Sequence, residues 1–98
     1  MNYPIIWSPK AKITYYNILR YLSEEWTEKE VIDFTHRVSI TIKHISHNYQ
    51  LYPYSVRKNA YRAVITKQTS LLYRFKNGSV QLVMFWDNRQ NPDKLTKV

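Results

Sequence analysis

Several residue types are scarce in this 98-residue chain, and each scarcity excludes a class of protein. There is no cysteine, which excludes a disulfide framework, a cysteine zinc site and a thiol nucleophile. One glycine and four prolines are too few for a flexible linker or a low-complexity tract. The longest unbroken apolar run, residues 82–86, is far shorter than the ~20 residues that span a bilayer. No basic segment followed by an apolar stretch opens the sequence, so we expect a cytoplasmic protein without a signal peptide or membrane contact.

The overall composition is that of an ordinary folded domain. Apolar residues make up 44% and charged residues 22% of the chain, which argues against disorder. A chain of 98 residues is too short for two ordinary domains. We therefore expect a single domain over residues 1–98.

Positive charge is concentrated in the second half of the chain. Residues 51–98 hold nine Lys and Arg against two acidic residues, whereas residues 1–50 hold six against five. A basic surface built by one half of a small domain suits a polyanion or an acidic protein partner. The predicted target- or nucleic-acid-binding residues are Arg57, Lys58, Arg62, Lys67, Arg74 and Arg89.

Two consecutive amphipathic helices are predicted in the first half. Ser8 is a suitable N-cap, and Pro9 suits the first helical position, where its missing N–H costs nothing. Thr27 and Glu30 have the spacing of a capping box, which predicts the start of the second helix. Apolar residues follow at helical spacing: Ala11, Tyr15, Ile18, Leu19 and Leu22, then Val31, Phe34, Val38, Ile42 and Ile45.

Strand-like runs flank this helical pair. A short strand is predicted over residues 3–7, with Pro4 near its start or on a sheet edge. Three further strands are predicted at residues 61–66, 71–75 and 80–86, while Pro53 indicates a plain connection over residues 51–54.

Strand pairing is indicated by the turn before the last strand. Asn77-Gly78 predicts a type I′ hairpin, since both central residues of that turn need positive φ. In the last strand, alternation predicts one face made by Val80, Leu82, Met84 and Trp86, and both faces are largely apolar, as in a central strand.

The element order is thus β-α-α-β-β-β. It predicts an α+β fold in which a helical hairpin packs on one face of a twisted, mainly antiparallel sheet.

The sequence offers no metal site and no cofactor-binding motif. His36, His44 and His47 all fall on the outward face of the second predicted helix, and no third ligand accompanies the pair His44 and His47. We interpret them as solvated surface residues. Ile40 shares that outward face and indicates that a partner docks there.

Catalysis by a nucleophile or by paired carboxylates is not indicated, since no such motif occurs. Metal-free RNA cleavage stays open, because it needs cations to stabilise the phosphorane together with an acid and a base. Arg62, Arg74 and Arg89 are the candidate residues for that chemistry. Tyr54, Tyr61 and Tyr73 either stack on bases or belong to the core.

Five stretches together have a familiar order: WSPKA at 7–11, LSEEW at 22–26, YRAVI at 61–65, LLYRF at 71–75 and FWDNRQNP at 85–92. In these stretches, and over essentially its whole length, the chain resembles the RelE/ParE superfamily of toxins from bacterial type II toxin–antitoxin systems. The resemblance implies a growth inhibitor that is neutralised by a cognate antitoxin.

Two mechanisms occur in that superfamily. RelE-like members are ribosome-dependent mRNA interferases that use basic residues on central strands, an Arg after the last strand and a C-terminal Tyr or His. Arg89 matches the post-strand Arg, but Ser70 stands at the third-strand Arg position and Leu95 at the C-terminal aromatic position. This departure favours the ParE-like alternative, which is a non-nucleolytic poison of DNA gyrase.

The resemblance also implies an acidic, partly disordered antitoxin that folds across the toxin and forms a hetero-oligomer with it. Its expected contacts are Ile40, Arg62, Arg74 and Trp86. A non-toxic nucleic-acid-binding module is the remaining alternative for a basic domain of this size.

Overall fold

A computed structural model of the chain describes residues 2–88. The described elements are β1 Ile5–Trp7, α1 Pro9–Glu25, α2 Glu28–His47, β2 Tyr54–Ser55, β3 Ala60–Val64, β4 Thr69–Lys76 and β5 Ser79–Asp87. The two helices form a hairpin that packs on one face of a five-stranded sheet, so the predicted α+β class is confirmed.

Both helices begin where the capping residues predict. Ser8 Oγ accepts a hydrogen bond from the Ala11 N–H at 2.9 Å, and Pro9 opens α1. At the start of α2 the Glu30 carboxylate accepts from the Thr27 N–H at 3.1 Å, and the Thr27 hydroxyl donates to the same carboxylate. These bonds hold the pKa of Glu30 below its ordinary value. Side-chain caps thus define both helix starts.

The strands lie in the order β1-β5-β4-β3-β2. β1 pairs in parallel with β5, and the other neighbours are antiparallel. β1 is an edge strand, as Pro4 predicts, and the Pro4 carbonyl accepts from the Val80 N–H at 2.9 Å. Asn77 and Gly78 have φ of 53° and 76°, which confirms the predicted type I′ geometry.

The predicted connection over residues 51–54 is wrong in one respect, because it contains the start of an edge strand. Tyr54 pairs with Tyr61 and Ser55 with Ala60, which makes β2 a two-residue strand beside β3. Pro53 prevents a helix but permits extended backbone, and its carbonyl accepts from the Arg62 N–H at 2.9 Å. Two residues are too few to show an alternating pattern in the sequence.

The predicted alternation of β5 is also wrong beyond Leu82. Leu72 pairs with Met84 and Tyr73 with Leu82, so Val83 is an extra residue, a β-bulge. The bulge shifts the alternation by one. Phe85 therefore joins Val80 and Leu82 in the core under the helices, while Met84 and Trp86 fall on the opposite face, across from Leu72 and Ser70.

Side chains of α1 satisfy the backbone groups of the bulge. Ser8 Oγ donates to the Val83 carbonyl at 2.8 Å, and Thr14 Oγ1 accepts from the Phe85 N–H at 2.9 Å. The Ser8 N–H also donates to the Leu82 carbonyl at 3.1 Å. The first turns of α1 thus continue hydrogen bonding along β5 where β1 ends, and no buried side-chain N or O among the described residues is left without a partner.

We predict that Ser8→Ala lowers the free energy of unfolding by about 2 kcal/mol, because it removes both the helix cap and a hydrogen bond to the bulge. The measurement is urea denaturation followed by circular dichroism. The control is Ser39→Ala on the exposed side of α2, which should leave stability unchanged or slightly raise it. Equal stabilities for the two variants would contradict this role of Ser8.

Candidate binding face of the sheet

The helices cover one face of the sheet, and we call the other the distal face. Strand register and alternation assign its side chains: Ile6, Arg62, Val64, Ser70, Leu72, Arg74, Lys76, Gln81, Met84 and Trp86. Leu72 and Trp86 are nevertheless buried, with 5% and 8% exposed. The distal face is therefore a partly apolar surface with basic side chains along it.

Arg62 is held in place by Ser70 and Asn88, and we call these three residues the Arg62 cluster. Its Nε donates to Ser70 Oγ at 3.1 Å and its Nη2 to Asn88 Oδ1 at 2.9 Å. Ser70 Oγ donates in turn to Asn88 Oδ1 at 2.8 Å. Asn88 is anchored by its backbone N–H, which donates to the Gln68 carbonyl at 2.6 Å. These bonds use two of the five N–H donors of the guanidinium and orient the planar group in advance of any ligand.

Arg74 fastens the turn between β2 and β3 to the sheet. Its Nε donates to the Asn59 carbonyl at 2.6 Å and its Nη2 to the Lys58 carbonyl at 3.5 Å. Asn59 has φ of 51°, a conformation that asparagine tolerates better than most residues. Arg74 therefore brings the basic pair Arg57 and Lys58 next to the distal face.

The electrostatics of Lys58 show that these cations are close together. Burial lowers the pKa of Lys58, and the positive charges of Arg57 and Arg62 lower it further. Four of the predicted binding residues, Arg57, Lys58, Arg62 and Arg74, thus form one basic group.

The remaining predicted cations are placed less centrally. Lys67 lies in the exposed turn between β3 and β4, where its carbonyl accepts from Asn88 Nδ2 at 3.3 Å. Arg89, like Leu95, lies outside the described residues. Lys67 therefore neighbours the Arg62 cluster through Asn88 rather than through its own ammonium group.

The tyrosines lie on the helix side of the sheet. Tyr73 is 0% exposed and donates its hydroxyl to the Tyr49 carbonyl at 2.7 Å, and burial raises its pKa well above the ordinary value. Tyr61 stacks on Tyr73 with ring centroids 5.2 Å apart. Tyr54, which is 48% exposed, contacts the edge of Tyr61. For Tyr73 the core interpretation is confirmed, because a fully buried ring is inaccessible to a base.

The residues predicted for antitoxin binding do not all lie together. Arg62, Arg74 and Trp86 share the distal face, whereas Ile40, 40% exposed, lies on α2 in the other layer. His36, His44 and His47 are exposed on α2, as the helical spacing predicts. A single partner must therefore reach both layers to contact all four predicted residues.

Within residues 2–88, the distal face carries no histidine and no carboxylate. No group of three His, Asp or Glu residues in that part of the chain is arranged to hold a metal ion. Neither described helix is long and apolar enough to cross a membrane.

Sequence reasoning did not identify Ser70 and Asn88 as hydrogen-bond partners of Arg62. The sequence gives a weak indication of the contact between Arg62 and Ser70, because the two residues have the spacing of near neighbours across the predicted β3–β4 hairpin. No protein-family model and no curated protein matches this sequence. The function is therefore inferred from the distal face and from the resemblance in its sequence.

We predict that Arg62→Gln raises the pKa of Lys58 towards its ordinary value of 10.5. The shift should be partial, since burial is the largest cause of the lowered pKa and remains in the variant. The measurement is an NMR titration of the carbon next to the Lys58 ammonium. Arg20→Gln, the same charge change on an exposed residue of α1, should leave the Lys58 titration unaltered; equal shifts in both variants would contradict the clustering.

Proposed function

We propose that this chain is the toxin of a bacterial type II toxin–antitoxin system of the RelE/ParE kind, and that it inhibits its target by binding rather than by cleavage. The observation that carries this proposal is the basic distal face, on which Arg62 and Arg74 lie with no histidine and no carboxylate among the described residues.

Cleavage of RNA without a metal needs a group that takes a proton from the 2′-hydroxyl and a group that protonates the leaving oxygen. The Arg62 cluster offers a guanidinium, the Ser70 hydroxyl and the Asn88 amide. None of these groups changes protonation near neutral pH. The cluster therefore suits electrostatic binding of an acidic or phosphate-bearing surface, which favours the ParE-like alternative with DNA gyrase as the target.

The proposed antitoxin is an acidic segment that orders itself on the toxin. The chain has a formal net charge of +8, and four of its cations form one group beside the distal face. The positive electrostatic potential of these cations speeds association with an acidic partner and disfavours association with a basic one. The accessible apolar residues beside the cations, among them Val64 and Met84, suit the hydrophobic side chains of a segment that folds on binding.

The RelE-like alternative rests on the same two arginines, since Arg62 and Arg74 on one face suit the charge of a phosphodiester. It requires an acid and a base in addition to the groups of the Arg62 cluster, supplied by other residues of the chain or by the ribosome.

We predict that induced expression in a bacterial host arrests growth, induces the DNA-damage response and leaves transcripts intact. After induction of Arg62→Gln, at least tenfold more cells should survive than after induction of the unaltered chain. The reason is that a central guanidinium contributes roughly 1.4 kcal/mol or more to the affinity of a binding surface. Arg20→Gln on α1 is the matched control and should stay as toxic as the unaltered chain.

Transcript mapping by primer extension separates the mechanisms. Cuts within translated codons would favour the mRNA interferase and contradict the ParE-like proposal. Full viability in several bacterial hosts would contradict both toxin mechanisms. Direct nucleic-acid affinity without toxicity, falling steeply with salt, would instead identify a nucleic-acid-binding module.

We further expect that a small acidic protein is encoded next to this chain, and that its co-expression restores growth. The complex should weaken as salt is raised, and Arg62→Gln should weaken it further, because the interaction depends on charge. Affinity by calorimetry at two ionic strengths is the measurement. A complex that is insensitive to salt would contradict the role proposed for the distal face.

A further inference from the structure

A separate groove of about 600 Å³ lies between the end of α1, the start of α2 and the end of the sheet that carries the β3–β4 turn. Its apolar wall includes Ile18, Leu22, Trp26 and Phe34. Trp26 is 57% exposed at the junction between the helices. A large aromatic side chain left this open beside an apolar groove is typical of a docking surface.

The charge of the groove is opposite to that of the chain as a whole. Its described lining includes three carboxylates, those of Glu30, Asp33 and Asp87, and one basic side chain, that of Arg37. In a chain of net charge +8 this is an acidic site. It therefore suits an occupant that is both basic and partly apolar, and it repels the acidic partner proposed for the distal face.

The sequence contains such a segment directly after the described residues. Residues 89–98 carry three basic residues and one acidic residue, together with Pro92, Leu95 and Val98. The described chain stops at Asn88, and the preceding residue, Asp87, lines the groove. Ten residues reach up to ~33 Å, so the segment is long enough to follow the groove. Because it is tethered at the groove itself, only a short loop must be closed and the effective concentration is high.

We propose that residues 89–98 dock in this groove, with their apolar side chains against Trp26 and their cations at the acidic rim. The docked segment covers the exposed indole and places neutralising charge beside Asp33. The inference rests on the groove and on the charge of the segment, and it is independent of the toxin proposal.

Paramagnetic relaxation in the full chain tests this directly. The chain has no cysteine, so Lys97→Cys takes a nitroxide at that one position. We expect loss of the Trp26 indole N–H and Ile18 methyl signals, and their return when the nitroxide is reduced. The methyls of Val56, in the turn at the opposite end of β3, should keep their intensity. An unbroadened Trp26 signal would overturn the proposal.

Two further variants identify the forces. In the labelled chain, Leu95→Ser and Asp33→Lys should each restore much of the Trp26 signal, because one removes an apolar contact and the other reverses the rim charge. Leu51→Ser, at an exposed leucine outside the groove, is the control and should restore none. Full broadening in both test variants would contradict docking by these contacts.

A mixture of nitroxide-labelled chain with isotope-labelled, unmodified chain distinguishes docking of the segment within one molecule from docking of the segment of a second copy. Broadening of Trp26 in the unmodified chain would show that the segment comes from a second copy, which overturns docking within one molecule. No broadening in the mixture, together with broadening in the singly labelled chain, supports the proposal.

Discussion

Two hydroxyl groups, one on the N-cap of α1 and one in its second turn, hold β5, the strand on which the rest of the sheet depends. The Ser8 hydroxyl donates to the carbonyl of Val83, the bulge residue, and the Thr14 hydroxyl accepts from the N–H of Phe85 two residues later. The bulge decides which β5 side chains face the helices, because it moves Phe85 into the core and Trp86 to the distal face. The position of Ser70 opposite Trp86, and with it the Arg62 cluster, follows from this register.

The structure separates charge of opposite sign between two surfaces. The distal face gathers Arg62 and Arg74, and beside it lies Lys58, whose pKa is lowered by burial and further by the charges of Arg57 and Arg62. The groove beside Trp26 carries the carboxylates of Asp33 and Asp87. The described part of the chain therefore offers different chemistry to an acidic partner and to a basic segment, so the two need not compete for the same residues.

Much of the fold could be predicted because local signals agreed with the tertiary structure. Ser8, Pro9 and the pair Thr27 and Glu30 predict both helix starts, since capping depends only on neighbouring residues. Asn77-Gly78 predicts its turn for the same reason. The bulge at Val83 was not predictable, because it depends on hydroxyl groups of Ser8 and Thr14 that lie about 70 residues away in sequence.

The candidate site was predictable in its charge but not in its geometry. Counting Lys and Arg indicates a basic second half, and strand alternation puts Arg62 and Arg74 on one face. The support that Ser70 and Asn88 give to Arg62 depends on β4 and β5 lying side by side in one register. A polar residue on a strand can form hydrogen bonds with many different partners, and the register of the folded sheet determines which of them lies within reach.

The parallel pairing of β1 with β5 also constrains how the chain folds. Tyr3 donates its N–H to the Ser46 carbonyl, and Ser8 bonds Val83 across 75 residues of sequence. During synthesis the helical hairpin emerges before the strands that cover its apolar side. Closure of the core must therefore wait until β5 has been made, and until then the apolar side of the helical hairpin lacks the strands that cover it.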